Sequence, residues 1–174
     1  SIRVTRRLTN DSFDGAEPVV GTDVYVVGDF RGSSVELGEP AVDPSTLGTM
    51  WWSWTAPASG KLFLSEAMHP FIFELFEGAT LQSLTLLPIE PSPFFLIWEV
   101  QQGVAYKLRS SRVDTSLDTG VGRLRFAERP PNDHFADRIL LTSLTNVFEV
   151  PTGIATIEPG EPTPYPHSVW YEWI

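Results

Sequence analysis

The chain of 174 residues contains no cysteine. This absence excludes disulfides, zinc–thiolate sites and thiol nucleophiles. Only two of its twelve basic residues are lysines, and the formal net charge is −10. Nucleic acids and anionic membrane surfaces are both recognised by clustered lysine and arginine, so neither is an expected partner. No apolar run approaches the roughly 18 residues of a transmembrane helix, and no signal peptide is visible, so membrane insertion is not expected.

Motifs that carry catalysis are also missing. The sequence has no Gly-x-Ser-x-Gly nucleophile elbow, no His-Glu-x-x-His zinc pair and no glycine-rich phosphate loop. Its three histidines are His69, His134 and His167. Carboxylate pairs are common in any acidic chain and carry no weight alone. We therefore expect a protein that is not an enzyme.

The chain does contain an internal sequence repeat. Asn10-Asp11-Ser12-Phe13 returns as Asn132-Asp133-His134-Phe135, and the Glu-x-Gly-Glu-Pro motif at residues 36–40 returns at residues 158–162. Both offsets are 122 residues. An internal repeat changes the number of domains that a chain is expected to contain. This repeat predicts one full module and the opening part of a second copy.

A third repeated motif is aromatic. Met-Trp-Trp-Ser-Trp at residues 50–54 is matched by Val-Trp-Tyr-Glu-Trp at residues 169–173, with an offset of 119, so one loop is three residues shorter. The second copy stops soon after this strand, which favours a fragment of a longer array. We expect three parts: a last strand of a preceding module or N-terminal extension (1–9), a complete β-sandwich repeat (10–129), and a linker with an incomplete second repeat (130–174).

Composition points to an all-β fold. Eleven Phe, six Trp and four Tyr favour strands, and fifteen Pro with thirteen Gly favour turns. Many short strand patterns with no long helical period predict an antiparallel β-sandwich of jelly-roll-like type. One helical turn is expected between Asn10 and Ala16. Eight strands are predicted, at residues 24–30, 50–55, 61–65, 71–76, 84–89, 94–100, 105–109 and 122–127.

The order of motifs resembles a known family. Asn-Asp-x-Phe and Glu-x-Gly-Glu-Pro precede an aromatic strand that runs into Trp54-Thr55-Ala56-Pro57-Ala58-Ser59-Gly60. Phe73-Glu74-Leu75-Phe76-Glu77-Gly78 and Gly103-Val104-Ala105-Tyr106-Lys107-Leu108 follow. The set resembles the tandem β-sandwich repeats of large secreted bacterial proteins and is similar to bacterial pre-peptidase C-terminal (PPC-like) domains. The resemblance covers residues 10–127 and restarts at 132.

The resemblance implies a non-catalytic accessory or adhesive domain, located extracellularly or at the cell surface. Some such domains bind calcium. The family often has an Asp shortly before the strand that matches residues 71–76, where this chain has His69-Pro70-Phe71. It also often has an Asn-Asp-Asp-like turn after the next strand, where this chain has Pro88-Ile89-Glu90. Both departures remove carboxylates from positions where the family would place them.

The glutamate loop is the best polar candidate for a metal site. Glu36 and Glu39 flank Gly38, and hard cations such as calcium take several oxygen ligands. With Asp11 close in space, these residues form a candidate calcium site. The competing interpretation is a structural turn, in which glycine takes a positive φ and a glutamate accepts backbone hydrogen bonds. The residues favour this second interpretation, so no cofactor is expected unless calcium binds.

Trp51 and Trp170 are the candidate binding residues. Alternate residues of a strand share a face, so Met50, Trp52 and Trp54 are predicted to face the core. Trp51 then lies on the opposite face, as does Trp170 in the second copy. Either the glutamate loop covers these rings or they contact a ligand or partner, for example by stacking on a glycan. Cover by the glutamate loop is favoured, because a sugar-binding site would need a row of exposed aromatic residues.

The sequence thus favours a structural or adhesive repeat that forms stiff tandem arrays and protein–protein contacts. Its partners would be neighbouring repeats or other copies of the chain. One alternative is a subunit of an extracellular filament, in which the incomplete second repeat exchanges a strand with another copy. The other is a carbohydrate-binding accessory domain of an extracellular enzyme. The short Arg129-Pro130-Pro131 linker is expected to limit the angles between modules.

Overall fold

The computed structural model describes residues 9–40, 43–67, 70–142, 154–162 and 167–174. The strand expected at the start of the chain lies outside these ranges apart from Thr9, and so does His69. The described chain is built from strands, and its only helices are single 3-10 turns, at Thr9–Asp11, Phe13–Gly15, Leu81–Ser83 and Phe135–Asp137. The two turns at residues 9–15 confirm the helical turn expected there. None of the described helices has the length and apolar character needed to cross a bilayer.

In the described parts of the chain, eleven strands form three sheets. The first sheet has the order β1-β3-β8-β5-β6, the second β2-β9-β4-β7, and the third holds β10 and β11. Apart from the parallel pairs β1–β3 and β10–β11, neighbouring strands are antiparallel. The strands are β1 (Glu17–Val19), β2 (Asp23–Asp29), β3 (Gly48–Thr55), β4 (Gly60–Ser65), β5 (Phe71–Glu77), β6 (Thr85–Leu86), β7 (Leu96–Val100), β8 (Ala105–Arg112), β9 (Thr119–Glu128), β10 (Ile139–Leu141) and β11 (Tyr171–Trp173).

The strand order between β2 and β9 is that of a jelly roll. Successive strands alternate between the two larger sheets, except for β5 and β6, which pair directly. The first and last of these strands, β2 and β9, lie side by side along seven residue pairs. Two four-stranded sheets wound in this way form a double-sheet sandwich. The predicted all-β, jelly-roll-like sandwich is therefore confirmed.

The core lies between the two sheets and is dominated by aromatic and branched side chains. Met50, Trp52 and Trp54 all point into it from β3, as their alternation predicts. Trp98 from β7 and Leu124 from β9 close it from the opposite sheet. Burial of each such side chain contributes about 1.5–3 kcal/mol, so the core is the main source of stability.

Three elements differ from the sequence prediction: β1, β10 and the strand expected at residues 84–89. β1 was not predicted, because Glu17-Pro18-Val19 carries a proline and is only three residues long. Proline is tolerated there because β1 is the edge strand of its sheet. The strand predicted at 84–89 shrinks to Thr85–Leu86, followed by an isolated bridge between Glu90 and Ile97.

The two strands described after residue 130 pair in the same way as the start of the sandwich. β10 lies parallel to β11 in the register Ile139↔Tyr171, and β1 lies parallel to β3 in the register Glu17↔Trp52. The offsets are 122 and 119 residues, the same two offsets that relate the sequence motifs. The division into modules at 1–9, 10–129 and 130–174 stays a prediction.

Candidate functional site

The motifs of residues 9–55 that are repeated later in the chain meet on the outer face of the first sheet. We call this group the Trp51 cluster, and it comprises Asp11, Phe13, Glu36, Glu39, Trp51 and Arg109. Asp11 begins it. Its Oδ1 accepts a hydrogen bond of 2.6 Å from the Ser34 backbone N–H, and its Oδ2 accepts one of 3.0 Å from the Ser34 hydroxyl. Asp11 is buried, so these bonds fix the loop at residues 34–40 against the start of the module.

The two glutamates of the loop hold it closed. Glu36 Oε2 accepts the Phe13 backbone N–H at 2.9 Å. Glu39 Oε1 accepts the Glu36 N–H at 2.9 Å and the Thr49 hydroxyl at 2.7 Å. Gly38 has a φ of 96°, which favours glycine in the turn between them. These hydrogen bonds and the positive φ of Gly38 are those of a closed turn.

Trp51 lies beneath this loop. Its side chain is 0% exposed and meets the Phe13 ring edge-on, with 5.4 Å between ring centroids. Phe76 covers another side of the indole at 5.8 Å. The indole Nε1 donates a hydrogen bond of 3.4 Å to Glu39 Oε1. Trp51 is thus covered by the loop and the sheet.

Arg109 completes the cluster from β8. It is 0% exposed, and its Nη2 lies 2.6 Å from Glu74 Oε2, while its Nη1 lies 3.4 Å from Glu39 Oε2. Nη1 also donates to the Pro40 carbonyl at 3.0 Å. The guanidinium carbon stands 5.0 Å from the centre of the Phe76 ring. A buried arginine held by two carboxylates and an aromatic face is a structural ion-pair network.

Sequence reasoning missed Arg109. In the Tyr-Lys-Leu-Arg pattern of β8, Lys107 and Arg109 fall on the outward face, where solvated basic residues are ordinary. The signal appears only with the strand order, which sets Arg109 between Trp51 on β3 and Glu74 on β5. Without that order, nothing in the sequence distinguishes it from Lys107.

The predicted calcium ligands belong to one cluster, but their carboxylates accept hydrogen bonds from different donors. Asp11 bonds Ser34, Glu36 bonds the Phe13 amide, and Glu39 bonds Thr49, Trp51 and Arg109. Within the described ranges, no three acidic or histidine side chains are grouped so as to hold a metal ion. Calcium binding at these residues stays a prediction, and an ion there would have to displace these hydrogen bonds.

A second set of contacts surrounds Trp170, which we call the Trp170 cluster: Asp133, Phe135, Glu158, Glu161, Ser168 and Trp170. Asp133 accepts the Thr156 N–H and hydroxyl, both at 2.6 Å, as Asp11 does from Ser34. Glu158 Oε2 accepts the Phe135 N–H at 2.6 Å, and Glu161 Oε1 accepts the Glu158 N–H at 2.7 Å. These bonds repeat those of the Trp51 cluster at an offset of 122 residues.

The aromatic pair also recurs. Phe135 meets Trp170 edge-on, with 5.0 Å between centroids, and Arg138 stands over the Phe135 ring at 4.8 Å. Lys107 stands over Phe13 at the same distance in the first cluster. Burial differs between the two sets. Phe13 is 4% exposed and Phe135 is 53% exposed, so the described residues cover Phe135 far less than Phe13.

Glu161 is held as a carboxylate. The Ser168 hydroxyl donates to its Oε2 at 2.5 Å, and together with the Glu158 backbone N–H this lowers the pKa of Glu161 below its ordinary value. Both donors favour the charged form. Glu161 therefore presents a negative charge beside Trp170 at neutral pH.

The junction between the two clusters is bridged by Arg129. Its guanidinium pairs with Glu99 on β7, and its Nε lies 3.4 Å from Asp133 Oδ2. Asp133 is only 1% exposed. Pro130 also accepts a hydrogen bond of 3.1 Å from the Asp133 N–H. The linker is thus fixed to the sandwich on one side and to the Trp170 cluster on the other.

An open apolar groove of about 560 Å³ lies elsewhere, between β5 and the segment that leads into β7. Phe71, Phe94 and Leu96 are among its lining residues, with Glu66 and Glu74 as its acidic groups. Glu74 is already paired with Arg109. The groove therefore adds an apolar surface rather than an evident catalytic arrangement.

Comparisons with known proteins find little. No protein-family model matches the chain, and no curated protein matches it. Among solved structures, it is similar to the pre-peptidase C-terminal domain of a collagenase from Bacillus anthracis. The identity is 11% and the TM-score 0.38, over 64% of this chain and 94% of that chain. Membership of a family does not follow from a likeness at this level.

Proposed function

We propose that the chain is a non-catalytic structural or adhesive module of an extracellular or cell-surface protein, which works within a stiff tandem array through protein–protein contacts. The observation that carries the proposal is the second cluster. The bonds of Asp11 to Ser34 and of Glu36 to Phe13 recur at Asp133 and Glu158 with matched geometry. A unit that is duplicated with its fold-determining contacts is the means by which repeat arrays lengthen.

The polar residues at the cluster support a structural role. Asp11, Glu36 and Glu39 all accept hydrogen bonds from the chain itself, and Arg109 neutralises Glu39 from within the sheet. Catalytic groups need access to a substrate, and Arg109 and Trp51 are fully buried. These groups stabilise the fold rather than face a ligand.

The junction supports the stiff array. Arg129 pairs with Glu99 on one side and Asp133 on the other, and two prolines follow it. Proline fixes φ and reduces the freedom of a linker. Neighbouring modules joined in this way keep a narrow range of relative angles.

The test measures a distance across the junction. The absence of cysteine allows spin labels at two introduced cysteines, Thr115→Cys in an exposed loop of the sandwich and Thr142→Cys after β10. We expect a narrow distance distribution. The double change Pro130→Gly and Pro131→Gly should broaden it, while the matched pair Pro91→Gly and Pro93→Gly in a surface loop should not. A distribution that is broad from the start, or unchanged by the junction glycines, would overturn the stiff-array proposal.

Strand exchange between copies in a filament is the second candidate. The observation that favours it is β11, which pairs only with β10 among the described strands. Its Trp173 is 57% exposed. Addition of a strand at such an edge is a common mode of association. Light scattering over a range of protein concentrations tests it, since exchange between copies predicts a mass that rises with concentration.

A further inference from the structure

The edge strands of the two larger sheets differ in how they are protected from pairing with another chain. β1 has three residues and contains Pro18, β6 has two residues, and β7 is covered at Ile97 by Glu90. β2 runs over seven residues, Asp23–Asp29, with no proline and no lysine. Short length, proline, lysine and cover by another segment are the usual devices that protect a sheet edge. Among the described edge strands of these two sheets, β2 alone has none of them.

The backbone of β2 has an open edge. Among the described strands β2 pairs only with β9, and it lies inside the continuously described residues 9–40. Just beyond the two ends of β2, Thr22 and Phe30 make their backbone hydrogen bonds toward the β9 side. Because the backbone groups of successive residues point to opposite sides of a strand, the even-numbered residues face β9. The N–H and C=O groups of Tyr25 and Val27 therefore face the open edge.

The side chains along this edge are apolar and exposed at its centre. Tyr25 is 55% exposed and Val27 is 54% exposed, and both lie on the outer face of the second sheet. The two acidic residues at the ends of the strand are each paired with an arginine of the same chain: Asp23 with Arg123, and Asp29 with Arg31. An edge that combines open backbone groups, exposed apolar side chains and neutralised charges favours the addition of a further strand.

We propose that β2 pairs antiparallel with β2 of a second copy of this chain, about a two-fold axis at Val26. In this register Tyr25 of each copy lies opposite Val27 of the other, and the two residues exchange both backbone hydrogen bonds. An aromatic side chain opposite a β-branched one is a favourable cross-strand pair. The inference rests on the proposed function and names a second copy as the partner in its protein–protein contacts.

The sequence of β2 selects both this occupant and this register. Asp-Val-Tyr-Val-Val-Gly-Asp has the same kinds of residue at equal distances on either side of Val26, apart from Val24 and Gly28. A two-fold interface requires a surface that is complementary to itself, and this strand provides one. A slip of two residues in either direction would place an aspartate of one copy opposite an apolar residue of the other, and a slip of one would turn the exposed face inward.

The first test measures the mass of the intact 174-residue chain by sedimentation. One strand pair is small beside the roughly 1,200–2,000 Å² of a stable interface, so we expect a weak dimer that forms at about 0.1–1 mM. The mass should rise with concentration to that of two chains and stop there, because a two-fold contact closes the assembly. Strand exchange through β11 would instead continue to larger assemblies. In a tandem array the β2 contact would recur in each module and be strengthened by multivalency.

Two further measurements locate the contact. Over the same concentration range the amides of Tyr25 and Val27 should exchange about tenfold more slowly, whereas those of Val24 and Val26, already bonded to β9, should change far less. Because the chain has no cysteine, a single spin label can be placed at Arg125→Cys, on the exposed face of β9. From the spacing and rise of β-strands, the proposed register separates the two labelled Cα atoms by about 25 Å.

Two variants test the edge itself. Val27→Glu places a carboxylate of each copy within the contact and should weaken the dimer at least about tenfold. Leu86→Glu is the matched control, since Leu86 is 52% exposed on β6, an edge strand of the other large sheet, and association should not change. The exchange measurement uses the unaltered protein, so it decides the question even if Val27→Glu fails to fold.

Three results would overturn the inference. They are a mass that stays at one chain up to the highest concentration, exchange at Tyr25 and Val27 that is independent of concentration, and equal weakening by Val27→Glu and Leu86→Glu. The distances across the junction test the stiff array separately. A broad junction distribution together with a closed dimer would reject the array and keep the β2 contact, and a narrow distribution in a chain that stays monomeric would do the opposite.

Discussion

Arg109 lies directly opposite Trp51 across the β3–β8 ladder, with its guanidinium carbon 5.6 Å from the centre of the indole ring. The same guanidinium reaches Glu74 on β5 and Glu39 in the loop. One buried side chain thus ties three strands and the loop at residues 34–40 into a single unit. The outer face of the sheet is held by this ion-pair network, while the inner face is held by apolar packing.

Removal of Arg109 should therefore be costly. Arg109→Ala leaves Glu39 buried with no cation and opens space beside Trp51, so we expect the free energy of unfolding to fall by about 3–5 kcal/mol. Urea unfolding followed by tryptophan fluorescence measures it. The control is Arg125→Ala on the exposed face of β9, which should change stability by less than about 0.5 kcal/mol. Equal losses in the two variants would mean that the network is not what stabilises this face.

Gly38 sets the geometry of the glutamate loop. Its φ of 96° is strained for any residue with a Cβ, although the space around a Cβ there is open, with only Gln82 Nε2 at 3.9 Å. We expect Gly38→Ala to lower stability by about 1–2 kcal/mol through backbone strain alone. Thermal melts report it, and Gly160→Ala, at a φ of 94° in the second loop, provides the matched comparison. If Gly38→Ala were as stable as the wild type, the positive φ of this turn would be contradicted.

Low pH should lower the stability of the fold because it protonates Asp29. The Arg31 side chain, and then the Arg31 backbone N–H, hydrogen-bond this carboxylate and lower its pKa from 3.8 to about 2. Because the folded-state pKa is the lower one, the stabilisation is present above about pH 3.8 and disappears as the pH falls towards 2. The gain is small, since the pair is exposed. Asp29→Asn should be less stable than wild type at pH 6 and equal to it near pH 2, and parallel pH profiles would refute this.

The charge of Glu161 depends on Ser168. We expect Ser168→Ala to raise the pKa of Glu161 towards its ordinary value, because the hydroxyl is the largest cause of its lowering. Titration of the Glu161 side-chain carboxyl by NMR measures the change. Ser116→Ala, which removes the equivalent hydroxyl donor to Asp114, should leave Glu161 unaffected. An unchanged Glu161 pKa in Ser168→Ala would show that other donors hold the carboxylate.

Arg129 should control how firmly the Trp170 cluster is attached. Arg129→Ala removes the bridge between Glu99 and Asp133 but leaves the bond from the Thr156 N–H to Asp133 in place. We expect faster hydrogen exchange at the Thr156 amide and unchanged exchange in β3 and β8, because only the junction loses a contact. Uniform acceleration across the chain would instead mean that Arg129 stabilises the whole sandwich.

Much of the fold was predictable from local pattern. The alternation of Met50, Trp52 and Trp54 identified the core face of β3, and the turn residues located most of the strands that the structure contains. These features depend on residues near in sequence, which is why a single chain reveals them.

The rest depends on contacts that local pattern does not carry. Arg109 lies 70 residues from Glu39 and 35 from Glu74, so its role appears only with the strand order. β1 was missed because a three-residue strand with a proline has no strand signature of its own and is stabilised by β3. The cover of Trp51 likewise includes Phe76, a residue from a strand that is distant in sequence.

The spacing of contacts in the Trp51 cluster also bears on how the chain folds. Asp11 and Ser34 are 23 residues apart, whereas the ion pair of Asp23 with Arg123 across β2 and β9 closes 100 residues. By loop-closure entropy alone, the longer closure costs about 1.3 kcal/mol more. We expect the loop and its tryptophan to assemble first, and the final strand pair of the sandwich to be a late, rate-limiting event.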